Sequence, residues 1–458
     1  KAQGLKSVGD IIDYTPGVTN SQGEGHRDAA VIRGMRTTQD FYRDGVRDDV
    51  QYYRPLYNVE QVEIIRGPDA LLSGFGGAYG IINRVSKKGV IGEDFTTLSG
   101  SVDTFGEHNV QLDKNMQLND STALRVNVFG ENLENHRDFY YGDSFGVNPT
   151  LKYDLGDGST LDLSYEYLDQ ERFIDRGIPT DDGSGTFTTP MEKYKDIVFG
   201  DSTDNFSLHE AHIIRAVFEH DLANSLKGRL SASHSSHDKL YQNLYANSMI
   251  AVANRATPGV EEVELNGYID TTQRSTGILS YDVSGEVETG GIVHNLIAGI
   301  QYLDIDNDNN RYYSNFTGSG SSKENFAVTR PLAISGGRGI NSSGVETFNQ
   351  GYAGANSELY DQTFAEVDVL SFYINDEIDL TDSLSLLLGV RFDEMDFDVN
   401  GFAYDKNNGG TGIGKDDKVV DVTNSDSDST TSPRVGLTFD VTNEAMLYAA
   451  YSESFAPK

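Results

Sequence analysis

Arginine and tyrosine side chains are concentrated in one loop near the start of the chain. Residues 47–57 read RDDVQYYRPLY and contain two arginines and three tyrosines, of which Tyr52 and Tyr53 are adjacent. A guanidinium pairs with anions, and a tyrosine ring stacks on flat or cationic groups. The loop is therefore rich in side chains that can pair with anions and stack on flat groups.

Two other motifs do not have the spacing that their chemistry requires. The glycines of GFGGAYG at 74–80 miss the GxGxxG pattern by one residue, and the next residues are typical of a strand instead of the helix that a dinucleotide needs. The segment 304–315 begins like a calcium loop with alternating aspartates. Its sixth and twelfth positions are Asn309 and Asn315, where calcium binding needs Gly and Glu.

The histidine pairs give no metal site either. His209 and His212, and likewise His234 and His237, lie three residues apart on predicted strands. Side chains at that spacing point to opposite faces of a strand, so neither pair can share a metal ion. No Ser, His and acid set stands out from the background. We therefore expect no enzymatic activity, no metal site and no cofactor.

The composition is typical of a chain rich in β-structure and turns. The 458 residues include 48 Gly, 25 Tyr and 22 Phe, with no Trp and no Cys, which excludes disulfides and thiol chemistry. No run of eighteen apolar residues occurs, which excludes a transmembrane helix. Low hydropathy is still compatible with a membrane barrel, because barrel strands face lipid with every second side chain. Residues 1–13 lack the apolar core of a signal peptide.

The net charge of −35 is distributed unevenly. Residues 1–90 carry twelve Lys and Arg against eleven Asp and Glu, so the remainder of the chain carries a charge of −36. A field of that sign disfavours nucleic acid as a partner. Acidic loops also have a simpler interpretation, since they keep a large protein soluble or suit a salty habitat.

From about residue 95 the sequence alternates with a period of two. Residues 124–128 read Leu-Arg-Val-Asn-Val, and the same period recurs at 161–167, 279–288 and 434–441. Such strands are half buried, with the apolar side facing either lipid or a core.

The connections between these strands alternate between short and long. Short turns are predicted at 119–120, 156–158, 290–291, 381–382 and 443–444. Long loops are predicted at 173–205, about 241–260, about 307–363, and 401–430. Short turns at one end and long loops at the other are typical of an outer-membrane barrel. A soluble sandwich is not expected to place four such excursions on one side.

Before this region lies a compact unit of short elements. Residues 7–14 predict a short helix that Ser7 and Asp10 cap. The runs VIRG, FYRDG, VEII and GIINRVS between Ala29 and Lys88 predict short strands joined by tight turns. Between the last two, GPDALLSG at 67–74 predicts one or two helical turns.

The order of the IRG, DG, VEIIRGP, Gly-rich and INRVSK segments closely resembles the plug of TonB-dependent outer-membrane receptors, above all the siderophore receptors. The resemblance covers about the first ninety residues, and the final YSESFAP resembles a barrel strand of the family. It implies an all-β transmembrane β-barrel, of about 22 strands in the family, with a small mixed α/β plug. We predict a plug at 1–90 without its TonB box, and a partial barrel of about thirteen strands at 91–458. The chain would then be cut at both ends.

The resemblance also implies a function. It predicts an outer-membrane receptor that takes up ferric siderophores, is energised by TonB and its inner-membrane complex, and is surrounded by outer-membrane lipid. Iron would be carried only as part of the substrate. A TonB-dependent receptor for another nutrient, such as cobalamin or a glycan, is the first alternative. A passive porin and an outer-membrane hydrolase rank below it, because a porin needs no plug and no nucleophile set is present.

The same resemblance indicates candidate binding residues. Tyr52 and Tyr53 align with the ligand-contacting aromatic pair of ferrichrome-type receptors, Arg36 and Gln39 lie in a second contact loop, and Arg27 lies near a third. The barrel candidates, chosen from position and chemistry, are Arg176, Tyr194, Tyr241 and Tyr245. The alternative for Tyr52 and Tyr53 is that they pack the plug against the barrel wall. For the barrel tyrosines, the alternative is a place in the interface belt or a packing role.

Two further arginines are expected to hold the plug in place. In the family, the arginines of IRG and RGP, here Arg33 and Arg66, pair with glutamates on strands that follow YSESF. This chain does not contain those strands, so we expect both arginines to lose their usual partners, and a buried unpaired charge is costly.

Overall fold

The computed structural model describes most of the chain. It covers residues 5–453 except 13, 22, 67–78, 138, 181–188, 203–204, 223–224, 314, 317–322, 329–347, 350–358, 405–418 and 443. Among these residues, no helix is both long and apolar enough to cross a membrane. The predicted helical turn at 67–74 and the end of YSESFAP lie outside the described residues.

The described residues between 5 and 88 form a small α/β unit, which we call the plug. Its elements are α1 (Val8–Ile12), β1 (Val18–Asn20), β2 (Ala30–Ile32), β3 (Met35–Thr37), β4 (Phe41–Arg43), β5 (Val46–Arg47), β6 (Val59–Ile65) and β7 (Ile81–Ser86). Strands β1 to β3 form one antiparallel sheet, and the second sheet has the order β5-β4-β7-β6 with β4 and β7 parallel. The boundary near residue 90 stays a prediction.

The helix forms where its cap was predicted. The backbone N–H groups of Lys6 and Ser7 donate to Asp10 Oδ2 at 2.8 and 2.9 Å, which satisfies donors at the start of α1. The helix ends two residues earlier than predicted, and the chain turns before Pro16. Val8 and Ile12 of α1 lie in the plug core, which also contains Val18, Ala30, Ile32, Phe41 and Ile82.

The described residues beyond the plug form mainly antiparallel strands, most of them long, which we call the wall. They are β8 (Phe95–Val102), β9 (His108–Asn119), β10 (Thr122–Leu133), β11 (Gly142–Gly156), β12 (Ser159–Phe173), β13 (Phe206–Asp221), β14 (Leu226–Met249), β15 (Glu262–Thr289), β16 (Ile292–Tyr313), β17 (Asn315–Phe316), β18 (Lys323–Ala327), β19 (Phe348–Asn349), β20 (Leu359–Thr381), β21 (Leu384–Tyr404), β22 (Val419–Thr442) and β23 (Ala445–Ser452).

Sequential neighbours pair throughout the wall. Thirteen strands follow one another in the order β8 to β16 and then β20 to β23, while β18 extends the sheet beside the far end of β15. Within the described part of the chain this matches the predicted count of about thirteen. Strands β17 and β19 form a separate pair.

The wall is apolar outside and polar inside. Direct cross-strand neighbours form outward rows, such as Leu230, Tyr281, Ile300 and Phe372, of which Leu230, Ile300 and Phe372 are strongly exposed. The alternate, buried positions are largely polar, and they include Asn127, Asp162, Glu166, Arg215, Ser280 and Arg391. Because the plug packs against this polar side, the outer apolar face is the one suited to lipid. The predicted fold class, a membrane barrel with a plug, is confirmed.

The positions of the short turns were predicted well, but the lengths of the loops were not. The turns after Asn119, Gly156, Thr289 and Thr381 lie where they were expected. Several predicted loop segments are strands, however: Tyr241 to Met249 belong to β14, and residues 419–430 belong to β22. Strand β14 has 24 residues, whereas about ten suffice to cross a bilayer. The hairpins therefore continue as paired strands beyond the membrane.

Candidate ligand-binding site

The loop at 47–57 is held by one buried arginine. Arg54 has no exposed surface. Its guanidinium donates to the carbonyls of Asp48 at 2.8 Å, Val50 at 2.6 Å and Tyr52 at 3.2 Å, and its backbone N–H donates to Asp28 Oδ2 at 2.8 Å. These contacts close the loop on itself and fix the direction of the two adjacent tyrosines.

The charge balance beneath this loop is also fixed. Burial alone would raise the pKa of Asp48, but Arg54 at 3.1 Å and Arg84 at 2.5 Å outweigh burial and hold that pKa below its ordinary value. Asp48 is therefore ionised and serves as the counter-ion of both guanidiniums. Nothing in the loop sequence distinguishes Arg54, which turns inward, from an arginine that faces a ligand.

The predicted aromatic pair divides between two environments. Tyr52 is 3% exposed, its hydroxyl donates to Asp48 Oδ2 at 2.9 Å, and its ring stacks on His209 of the wall at 4.5 Å. Its packing role is the alternative given above. Tyr53 is half-buried, and Arg172 of β12 lies over its ring at 4.1 Å. Ligand contact by Tyr53 stays a prediction that the geometry permits.

A second group of predicted residues meets at a plug turn, Gly23–Gly25. The carboxylate of Glu24 contacts two guanidiniums, Arg27 Nη2 at 2.9 Å and Arg176 Nη2 at 3.1 Å. The hydroxyl of Tyr241 donates to the carbonyl of Glu24 at 3.1 Å. The structure thus brings together Arg27 of the plug with Arg176 and Tyr241 of the wall.

Aromatic rings line the wall side of this group. Arg176 lies over the ring of Tyr245 at 4.0 Å, and Tyr245 meets Tyr268 edge to face at 6.2 Å. Tyr241 also lies 5.7 Å from Tyr268, and Arg311 covers Tyr268 at 4.5 Å. We call Glu24, Arg27, Arg176, Tyr241, Tyr245 and Tyr268 the apical cluster. The sequence indicated four of these six residues, and it gave no signal for Glu24 or Tyr268.

The electrostatics of the apical cluster favour bound anions. A hydrogen bond with His26, followed by the charges of Arg27 and Arg176, lowers the pKa of Glu24 to about 2, although burial acts in the opposite direction. Burial, and then nearby Lys239, hold the pKa of His26 well below its ordinary value. Glu24 is therefore an anion and His26 is neutral, so two guanidiniums, Arg27 and Arg176, face the single Glu24 carboxylate.

Three other candidates lie apart from this cluster. Arg36 on β3 is exposed, and so is Gln39, whose carbonyl accepts from Arg47 at 3.5 Å. Their role in ligand binding stays a prediction. Tyr194 lies in the connection between β12 and β13 and is buried with Ile197 and Phe199 in an apolar cluster. This is the packing role given above as the alternative for a barrel tyrosine.

The two expected lock arginines lie on one face of the plug. Arg33 and Arg66 are both exposed, and both are near Gly17: Arg33 N–H donates to the carbonyl of Gly17 at 3.2 Å, and Arg66 Nη1 donates to that of Pro16 at 2.7 Å. Their role as locks stays a prediction.

Other ion pairs join the plug to the wall. Arg43 pairs with buried Glu166, which also accepts from the hydroxyl of Tyr57 at 3.0 Å. Three further pairs cross the same boundary: Asp44 with Arg215, Asp49 with Arg274 at 2.6 Å, and Lys87 with Asp113 at 3.0 Å. No sequence pattern indicated these ion pairs, although the period-two pattern places Glu166 opposite the apolar face of its strand.

The histidines behave as predicted within each strand, and they also pair across strands. His209 and His237 face inward, and their Nε2 and Nδ1 atoms are 3.1 Å apart, whereas His212 is exposed. In the part of the chain that the structure describes, no three His, Cys, Asp or Glu side chains are grouped as metal ligands.

A plug inside a lipid-facing wall, with a cationic aromatic cluster where plug loop and wall strands meet, defines a class of outer-membrane receptor. The family described as "TonB dependent receptor-like, beta-barrel" matches residues 146–458, and the "TonB-dependent Receptor Plug Domain" matches residues 1–81. The chain belongs to the TonB-dependent receptor family, whose members are receptors and transporters.

Relatives at the level of sequence include siderophore receptors. A probable TonB-dependent siderophore receptor, PiuA of Acinetobacter baumannii, is 26% identical over 99% of this chain and 59% of its own length. The catecholate siderophore receptor Fiu of Escherichia coli is 33% identical over 39% of this chain and 24% of its own length. The metal-pseudopaline receptor CntO of Pseudomonas aeruginosa is 27% identical over 87% of this chain and 51% of its own length.

Solved structures of this family share the fold. PiuA from A. baumannii superposes with a TM-score of 0.81 at 24% identity, over 99% of this chain and 62% of that chain. The open form of Fiu from E. coli superposes with a TM-score of 0.79 at 20% identity, over 99% of this chain and 68% of that chain. The chain spans 59% of the length of PiuA and 51% of that of CntO.

Proposed function

We propose that this chain is the plug and part of the barrel of an outer-membrane receptor that captures ferric siderophores and imports them with energy from TonB. The observation that carries the proposal is the apical cluster. It combines two guanidiniums, Arg27 and Arg176, with the rings of Tyr241, Tyr245 and Tyr268, at the junction of plug and wall.

This chemistry suits an anionic iron chelate. Guanidiniums pair with carboxylate or catecholate oxygens, and tyrosine rings stack on flat aromatic groups. Both kinds of side chain act together where Arg176 lies on the ring of Tyr245. Two relatives whose names specify a siderophore, PiuA and Fiu, support the same substrate class.

Transport then requires that the plug leave its place. In this proposal the ligand binds between the apical plug turn and the wall, the inner-membrane TonB complex pulls on the opposite end of the plug, and the proton motive force supplies the energy. The plug is held by ion pairs that are desolvated but individually separable, such as Arg43 with Glu166 and Asp49 with Arg274.

The apical cluster favours this substrate over the alternatives. A glycan site is usually built from aromatic rings without a positive centre, whereas here two arginines contact the carboxylate of Glu24. The plug fills the polar side of the wall and argues against a passive pore.

Binding of radiolabelled iron complexes to the complete receptor in outer-membrane vesicles tests the proposal. Saturable binding of a ferric siderophore and its TonB-dependent uptake by cells are the expected results. Uptake of cobalamin or of a glycan, with no uptake of any iron complex, would refute the assignment of substrate. Uptake that persists in cells without TonB would refute the mechanism.

A further inference from the structure

The plug turn that carries Glu24 has an unusual backbone. Gly23, Glu24 and Gly25 all have positive φ, at 62°, 55° and 77°. Glycine adopts this region freely, but a side chain such as that of Glu24 is strained in it. A strained residue persists only where its surroundings hold it.

The wall supplies those surroundings. A Cβ atom on Gly25 would lie 2.8 Å from the carbonyl oxygen of Asp175, so the turn rests directly on the wall backbone. Arg137 fixes that backbone through Asp175 at 3.1 Å and the carbonyl of Ile197 at 2.6 Å. Tyr241 also donates to the carbonyl of Glu24.

The Glu24 carboxylate itself joins plug and wall. Oε2 contacts Arg27, which belongs to the plug, and Oε1 contacts Arg176, which belongs to the wall. Both arginines are the ones proposed above to receive the ligand's charge. The Glu24 side chain is 29% exposed, so an incoming anion can reach it.

We propose that Glu24 is an internal anion that occupies the arginine pair in the empty receptor and is displaced by an anionic group of the ligand. This inference rests on the proposed function. Displacement breaks the Glu24 contact with Arg176 and leaves a strained plug turn free to move away from the wall. Occupancy of the site is thereby transmitted to the plug.

The exchange also sets specificity. A carboxylate or catecholate oxygen can replace the Glu24 carboxylate at both guanidiniums, because one anion takes the place of another. An uncharged chelate cannot, since it would leave two partly buried guanidiniums without a counter-ion. Only anionic complexes can therefore displace Glu24 and release the plug turn.

The substitution Glu24→Gln tests the exchange, because it removes the competing charge and keeps nearly the same shape. Glu192→Gln is the matched control, since Glu192 is exposed in the connection between β12 and β13 and its side chain lies outside the apical cluster. The probes are the iron(III) complex of a hexadentate tris-catechol, which is a trianion, and that of a cyclic trihydroxamate, which is uncharged. Both are measured with the complete receptor.

We expect E24Q to raise affinity for the trianion by roughly tenfold, the range of a charge-assisted hydrogen bond, and to leave affinity for the uncharged complex unchanged. E192Q should change neither. If E24Q lowers affinity for the trianion or leaves it unchanged, the inference is overturned, and Glu24 is then a structural support or a ligand contact.

Amide hydrogen exchange in the empty receptor supplies a second measurement that needs no ligand. Loss of the Glu24 contacts should speed exchange at residues 23–28 in E24Q and not in E192Q, and equal exchange in the two variants overturns the inference. If the unmodified receptor binds neither iron complex, the proposed function fails, while the exchange measurement still decides whether Glu24 holds the turn.

Discussion

At the scale of single residues, the site depends on which charges face each other. Arg176 contacts Glu24 at 3.1 Å, Asn243 at 3.3 Å and the ring of Tyr245 at 4.0 Å, so one guanidinium ties the plug turn to two positions of the wall. His26 lies beneath the same turn, between Arg27 and Lys239. Substitution of Arg176 or His26 should therefore change ligand binding or plug docking more than it changes the stability of the fold.

Arg176→Ala should weaken binding of an anionic ferric chelate by roughly 10- to 100-fold, since hydrogen bonds to charged groups contribute about 1.5–3 kcal/mol. Arg176→Lys should bind the chelate with an affinity between those of the unmodified receptor and of Arg176→Ala. It keeps the charge but loses the planar stacking on Tyr245. Equilibrium binding to the complete receptor measures both. Arg255→Ala is the control, because Arg255 hydrogen-bonds only locally, to the carbonyl of Ile250 at 3.0 Å. Equal affinities for the Arg176→Ala and Arg255→Ala variants would contradict the assignment of Arg176.

Docking of the plug turn should weaken as the pH falls below about 6.5, the ordinary pKa of histidine. Above that pH, docked and detached turns bind the same number of protons at His26. Below it, the detached turn takes up a proton that the docked turn cannot, because burial and Lys239 lower the pKa of His26. Glu24 does not contribute in this range, since its pKa of about 2 keeps it ionised.

Amide exchange at residues 23–28, corrected for its intrinsic pH dependence, should therefore be faster relative to the rest of the plug at pH 5 than at pH 7.5. The variant His26→Gln should reduce this difference, because it removes the titrating imidazole. A pH response of the same size in the variant would assign the effect to other groups.

At the scale of elements, strand β12 does most to position the plug. Its inward residues alternate with the outward Leu163 and Tyr165, and Glu166 among them receives Arg43, Tyr57 and Asn58 from two plug segments. Strand β13 adds Arg215, which pairs with Asp44. The plug is thus fixed to the wall by polar contacts that a strand presents at every second residue.

A double-mutant cycle on Arg43 and Glu166 should show strong coupling. Glu166→Leu alone leaves a half-buried guanidinium without its partner and should destabilise plug docking by about 3–5 kcal/mol. The pair Arg43→Met with Glu166→Leu should recover most of this loss, because neither charge remains. Denaturant-induced release of the plug, followed by protease sensitivity of the complete receptor, measures the free energies. If the double variant is as unstable as the sum of the single ones, the ion pair is not the coupling.

At the scale of the whole molecule, the wall has its apolar side chains on the outer face and its polar side chains on the inner face. Apolar residues such as Ile300, 41% exposed, form the outer rows, while buried Ser280 and Asn375 face inward with the plug. This arrangement has a low free energy only if the outer face contacts lipid, since a water-facing apolar surface of this extent would aggregate. The apolar outer face of the wall is therefore the surface that contacts lipid.

Ile300→Arg should destabilise the barrel by about 2 kcal/mol, because it places a charge on the lipid-facing row between Tyr281 and Phe372. Val252→Arg is the control: Val252 is 75% exposed but lies in the connection between β14 and β15, beyond the sheet. Folding titrations in lipid vesicles measure both variants. Equal stabilities would mean that the outer row does not face lipid.

The sequence by itself determined the class of the protein. Its plug motifs and the period-two pattern depend on residues close together in the chain, and local rules of strand and turn formation decide them. This is why α1, the short turns and about thirteen strands were predictable, and why Glu166 could be placed on the inward face of its strand. Tyr241 and Tyr245 were recognised as candidates from position and chemistry, although they were taken to lie in a loop.

Only the tertiary structure decided which side chains meet. Arg43 and Glu166 are separated by 123 residues, and Glu24 and Arg176 by 152. No local rule links such positions, because their contact depends on the register of several successive strands and on how the plug sits within them. The different environments of Tyr52 and Tyr53 have the same cause, since Tyr52 stacks on His209 and Tyr53 lies beneath Arg172, both far away in the sequence.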